Sequence, residues 1–136
     1  MNQYANQYTV LENGIYYAEL DGTKGYYEIG WQNGRIFSDL IKQNVSLMRK
    51  IYGETIGQER LEVILEKMLN SQYTADLKEH MPSLYDEMRG IADGSGISLK
   101  EAFMLNYLEE VPNAVIVESA GEMGPAVGKC TAAAVV

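Results

Sequence analysis

The chain has 136 residues, enough for one domain with a real hydrophobic core. Its 11 Lys and Arg are scattered among 19 Asp and Glu, and the net charge of −8 excludes the clustered basic surface that nucleic acid requires. An apolar content of 46% fits a globular chain, no apolar run approaches the ~20 residues that span a bilayer, and polar Met1 to Thr9 lacks a signal-peptide core, so a cytoplasmic protein is expected.

Within Val10 to Leu20, the run Ile15-Tyr16-Tyr17-Ala18-Glu19-Leu20 reads as a strand, bracketed by the turn pairs Asn13-Gly14 and Asp21-Gly22. From Glu28 to about Tyr52 the spacing predicts one long helix. Phe37, Leu40, Ile41, Asn44, Met48, Ile51 and Tyr52 recur at intervals of three and four. Gly30 and Gly34 lie four apart near its start. Each interior Gly disfavours a helix by roughly 1 kcal/mol against Ala. Close approach of another backbone is the simplest compensation, and a site wall is the alternative.

Gly53 and Gly57 interrupt the pattern. Leu61, Ile64, Leu65, Met68 and Leu69 then define an amphipathic helix that runs, bent or broken, through Leu77. Met81-Pro82 ends it and opens the next helix, which carries Leu84, Tyr85, Met88, Ile91 and Ala92 inward and stops at Asp93-Gly94-Ser95-Gly96. Ser98-Leu99-Lys100-Glu101 is a capping box, so a fourth helix should run from about Leu99 to Glu110. Asn106 falls on or beside its apolar face, where its amide would tie down a loop or meet a substrate. Val115-Ile116-Val117 reads as a short strand, Ser119 to Lys129 as a Gly/Pro loop, and Thr131 to Val136 as a closing strand. The fold class is α+β and mostly helical: an N-terminal strand, about four helices and a C-terminal strand.

Several motifs fail. Gly124-Pro125-Ala126-Val127-Gly128-Lys129 has three residues between its glycines where a phosphate loop needs four, and a strand-like run follows it. Asp93-Gly94-Ser95-Gly96 lacks the closing Glu of a calcium loop, since Met104 stands there. One His and one Cys cannot make a zinc site of the usual kind, so no metal or other cofactor is expected. Adjacent Glu109 and Glu110 diverge on a helix and read as a solvated end.

Cys130, the only cysteine, follows the loosened connector and opens a strand-like run. Packing in a core is one reading of it. The other is a nucleophile that cleaves the bond from Lys129 and then uses its own freed α-amine as base. An α-amine of pKa ~8 can serve that role without a histidine.

Four landmarks bear on that choice. Tyr27-Glu28-Ile29-Gly30-Trp31-Gln32-Asn33-Gly34-Arg35 resembles the opening signature of the penicillin acyl-coenzyme A acyltransferase family of N-terminal nucleophile enzymes. Glu87-Met88-Arg89-Gly90-Ile91-Ala92-Asp93-Gly94-Ser95-Gly96, Met104-Leu105-Asn106 and Cys130-Thr131-Ala132 are similar to three further segments of that family, in the same order. The resemblance implies a piece of an αββα sandwich precursor that cleaves at Lys129–Cys130. Cys130 would act on acyl-amide or acyl-CoA substrates through a thioester.

It also implies an α-chain-like lobe over residues 1–111, a connector over 112–129 and the start of the nucleophile strand over 130–136. Glu28, Gln32, Arg35, Asn106 and Thr131 would support the site. Asn33 stands where the family has His, and Lys129 where penicillin acyltransferase has Gly. Most of the β-chain would be missing, so the expected partner is that chain, or another copy packed on the exposed face, and this piece is expected to be inactive alone. The competing expectation is a non-catalytic helical interaction module in which Cys130 only packs.

Overall fold

The computed structural model describes residues 7–107, 111–114 and 116. Cys130, Lys129 and Thr131 lie outside them, as do the closing strand and most of the expected connector. Among the described residues the architecture is α+β and mostly helical, as the periodicity predicts. Strands β1 (Thr9–Val10) and β2 (Tyr16–Tyr17) form an antiparallel hairpin with Thr9 opposite Tyr17 and Val10 opposite Tyr16. A 3-10 turn at Gly22–Lys24 leads into α1 (Tyr26–Ile36), α2 (Ser38–Ile56), α3 (Gln58–Leu69), α4 (Gln72–His80), α5 (Pro82–Ser95) and α6 (Leu99–Asn106).

The expected helix from Glu28 to Tyr52 is two helices. They part at Phe37, whose φ of −101° and ψ of 21° leave the helical range. The hydrogen bonding nearly bridges the break, since Phe37 N–H donates to the Asn33 carbonyl and Ile41 N–H to the Phe37 carbonyl. That near-continuity hides the break from a periodicity argument. Two contacts fix it: the Phe37 ring stacks on Tyr8 at 5.4 Å, and Ser38 Oγ donates to the Ser95 carbonyl at 3.2 Å. The break shifts the buried stripe of α2. Val45 and Ile56 are buried, whereas Asn44 and Ile51 of the expected face point to water.

Gly53 does not end α2. It leaves room for the Gln58 side chain, which returns to donate to the Arg49 carbonyl at 3.0 Å. The helix ends at Gly57, whose φ of 90° suits glycine. The next expected helix is likewise broken, between Leu69 and Gln72, where Ser71 caps α4 by accepting from Thr74 N–H. α5 begins with Pro82 and closes on Gly96 in the left-handed region, as expected. The capping box at Ser98 and Glu101 is formed in both directions. α6 ends at Asn106, four residues before the expected end. Residues 111–114 and 116 are helical, so Ile116 is not in a strand.

The core lies between α2, α3, α5 and α6. Leu61 and Leu65 of α3 meet Val45, Met88, Phe103, Met104 and Tyr107, and Val111 closes the far end. Phe103 also leans on the rings of Tyr107 and Tyr85 at 5.0 and 6.1 Å. Deleting such a ring costs about 3–5 kcal/mol.

A salt-bridge clasp ties the outside of this core. The Arg49 guanidinium of α2 reaches Glu62 of α3 and, at 2.8 Å, Glu101 of α6. Lys100 adds a 3.0 Å bridge to Glu62. No helix among the described residues is long and apolar enough to cross a membrane.

Candidate functional site

α1 makes its most extensive contact with α5, and glycine is the reason. A Cβ on Gly30 would overlap the Glu87 carbonyl, and one on Gly34 the Ile91 carbonyl. On the facing helix, a Cβ on Gly90 would overlap the Tyr27 carbonyl and one on Gly94 the Trp31 carbonyl. Each of the four glycines therefore meets a backbone carbonyl of the other helix. This is the geometry in which Cα–H groups point at carbonyl oxygens, and only residues without a Cβ allow it. The close approach expected at Gly30 and Gly34 is present, and it is reciprocal.

Side chains pin the pair. Tyr27 Oη donates to Asp93 Oδ2 at 2.7 Å, and the Arg89 guanidinium lies 5.5 Å from the Tyr27 ring centre. Within α5, Ser95 Oγ donates to the Ile91 carbonyl at 2.6 Å, the same carbonyl that a Cβ on Gly34 would meet. The segments Tyr27 to Arg35 and Glu87 to Gly96 are thus one structural unit, joined by backbone contact across more than fifty intervening residues.

Glu28, Gln32 and Arg35 sit on successive turns of α1. Gln32 is buried, with 6% of its surface accessible. Its Oε1 accepts from Asp21 N–H at 2.8 Å and its Nε2 donates to the Asp21 carbonyl at 3.0 Å. Both ends of the amide therefore hold the backbone that enters α1. The Asp21 carboxylate, which accepts from the Thr23 hydroxyl and N–H, is held below its ordinary range by those bonds. The Arg35 guanidinium lies 5.6 Å from the Trp31 ring centre, and Glu28 is half-buried in the first turn of α1.

Asn106 lies elsewhere. It is exposed rather than buried in the core, and its Nδ2 donates to the Ala102 carbonyl at 2.7 Å within its own helix. It borders a cleft of about 260 Å³ between α4, α5 and α6, lined also by Tyr73, Leu77, Leu84, Glu87, Met88, Ile91 and Tyr107. α5 stands between this cleft and α1, so the structure does not bring Asn106 to Glu28, Gln32 or Arg35 as one constellation.

Beneath the cleft, Thr74 Oγ1 donates to the Met68 carbonyl at 2.8 Å and accepts from Tyr107 Oη at 2.9 Å. Neither residue stood out in the sequence. The one cue is Thr74 beside a Ser cap, which does not specify a partner 33 residues away. The cleft lining offers a carboxylate, an amide, two phenols and apolar walls, which suits binding; among the described residues it carries no thiol, hydroxymethyl or amine nucleophile.

No protein-family model matches the sequence, and no solved structure matches it. Among curated proteins, the chain is similar to a hydrolase of β-alanyl-dopamine and carcinine from Drosophila melanogaster. The identity is 28% over 94 residues, which make up 68% of this chain and 24% of the relative. The chain thus spans about a quarter of the length of the curated relative it matches.

Proposed function

We propose that this chain is the N-terminal, α-chain-like part of a cysteine N-terminal nucleophile enzyme that hydrolyses or transfers acyl groups on amide or acyl-CoA substrates. The observation that carries the reading is the reciprocal glycine contact between α1 and α5. The two segments in contact are two of the four that resemble the family. Their glycines, which propensity disfavours, have one joint physical purpose. Similarity to an amide hydrolase over two thirds of the chain supports the same reading.

In this reading Cys130 is the nucleophile and Lys129–Cys130 the scissile bond. Cys130 Sγ adds to the Lys129 carbonyl carbon and the C–N bond breaks. The thiol proton ends on the freed α-amine. Water then hydrolyses the thioester, leaving the Lys129 carboxylate and a Cys130 thiol beside its own amine. In the mature enzyme that amine takes the thiol proton as Sγ attacks an acyl carbonyl. The amine or thiol of the substrate leaves with a proton, and water or a second acceptor discharges the thioester.

The α1–α5 unit would act as scaffold, with Gln32 fixing the entry to α1 and Glu28 and Arg35 on its accessible side. Oxyanion donors and charged catalytic partners belong to the β-chain that completes the fold. A single missing oxyanion donor lowers rate by roughly 10²–10³-fold, so acyl transfer requires that chain.

Intact mass of the gene product, with and without Cys130→Ala, tests the proposal. The expected result is two pieces divided at Lys129–Cys130 in the parent and one uncut chain in the variant. An uncut parent that still turns over acyl-amides would overturn it.

A further inference from the structure

Exposed apolar side chains gather at the cleft between α4, α5 and α6. Tyr73 and Leu84, 55% and 44% accessible, line it, and Met81, at 50%, lines a hollow that shares Tyr73 and Leu77 with it. Leu77, Met88 and Ile91 are less exposed and form its apolar wall. At about 260 Å³ the cleft falls just short of the roughly 300 Å³ at which small-molecule sites begin, so it suits a small guest.

Its polar groups set the charge of that guest. Glu87 is half-buried in the lining, and its carboxylate has no hydrogen bond or ion pair among the described residues. Asn106 Nδ2 is anchored on the Ala102 carbonyl, and no described group bonds its Oδ1. No Lys or Arg among the described residues lines the cleft or the adjoining hollow, where Asp76 and His80 stand. A wholly apolar guest would strip water from the Glu87 carboxylate and leave it unpaired, and a stranded charge costs more than a stranded neutral group. An anion would meet that carboxylate on a chain whose net charge is −8. A cation with an apolar body satisfies both the wall and the carboxylate.

We propose that the cleft binds a small primary ammonium carrying an apolar body. The ammonium donates to Glu87, with Asn106 Oδ1 as a further acceptor. The body lies against Leu77, Met88 and Ile91, with the Tyr73 ring at its edge. Beyond Lys100 the chain's own cation is Lys129 alone, and it would compete for Glu87 if it reached the cleft. The inference rests on the cleft and not on the enzymatic reading.

Methyl NMR of the 136-residue chain, read at Met88 and Ile91 during addition of benzylammonium, tests it. The signals are expected to shift saturably. Benzyl alcohol, the neutral counterpart, should bind about ten-fold more weakly or worse, since a bond to a charged group is worth that much. Glu87→Gln should weaken benzylammonium by a similar factor and leave helical circular dichroism unchanged, because the carboxylate holds no described partner. Glu59→Gln, at an exposed position on α3, should leave binding intact and so exclude general attraction to an acidic chain. No saturable shift in the parent would overturn the inference, as would benzyl alcohol bound as tightly or affinity untouched by Glu87→Gln. Binding that appears only after Lys129→Gln would assign the cleft to the chain's own lysine and overturn it too.

Discussion

Gly90→Ala should destabilise the fold although it improves a helix. In an open helix interior, Gly to Ala stabilises by about 1 kcal/mol through chain entropy and propensity. At position 90 the added Cβ falls on the Tyr27 carbonyl and crowds the Trp31 N and the Gly30 carbonyl carbon, all backbone atoms that cannot swing aside. α1 and α5 must separate. Overpacking of this kind costs about 1–3 kcal/mol, and separation also strains the 2.7 Å bond from Tyr27 to Asp93. After the propensity gain of about 1 kcal/mol, the net expectation is a loss of up to about 2 kcal/mol.

Each kcal/mol lowers the Tm of a domain of this class by several degrees, about 4–8 °C at 60–100 residues and less in larger ones. Urea unfolding followed by far-UV circular dichroism reads the change directly. Gly53→Ala is the contrast. Its Cβ meets only the flexible Gln58 side chain, so the lost Gln58–Arg49 bond and the gained propensity should nearly cancel. A Gly90→Ala chain more stable than the parent would refute the claim that backbone contact selects these glycines.

Three more outcomes follow from named bonds. Gln32→Leu should cost about 1–3 kcal/mol, because it removes both bonds that Gln32 makes to the Asp21 backbone, and hydrogen exchange at the Asp21 amide should accelerate markedly. Thr74→Val removes the bond between Thr74 and the Tyr107 hydroxyl and one of the bonds to the Met68 carbonyl, which Ser71 also reaches, and should cost about 1–2 kcal/mol. Tyr107→Phe removes a donor that Thr74 can spare and should cost less, as thermal unfolding will show. Stability should also fall in acid through the Arg49 clasp. The Arg49 guanidinium holds Glu62 below the usual carboxylate range against the opposing effect of burial. Burial would raise Glu101, but the Ser98 N–H and Arg49 outweigh it and hold it low as well. Both folded pKa values lie below the unfolded ones, so the stabilisation is fully present above the ordinary carboxylate pKa. It is lost as pH falls through the depressed folded values. Arg49→Met should flatten that part of the Tm-against-pH curve.

Much of the fold was legible because local chemistry decides it. Pro82, Gly96 and the Ser98–Glu101 box mark helix ends through their own geometry, and each stands where the sequence puts it. The glycine pair Gly30 and Gly34 announced a close contact through its unfavourable propensity. Its partner helix could not be named from spacing, because the reason for Gly90 and Gly94 lies in a contact with residues far away in the chain.

The break at Phe37 was illegible for a related reason. Its bonds to Asn33 and from Ile41 keep helical spacing, and the forces that break it come from Tyr8 and Ser95. Asn106 was misplaced because a helical face predicts burial only while the helix is covered, and α6 stops at that residue beside an open cleft. Gln32 was singled out by resemblance as a site residue. In the described fold both ends of its amide bond Asp21, a partner that no periodicity identifies.

The most direct test of the account is the chemical state of the Lys129–Cys130 bond in protein taken from the cell that makes it. Free α-amines are blocked with a label, and the chain is digested with a Glu-specific protease, because trypsin would itself cut after Lys129. The account predicts a labelled peptide that begins at Cys130 and is absent from the Cys130→Ala variant. An unlabelled peptide running unbroken from Met123 through Cys130, with no labelled Cys130 terminus, would contradict it.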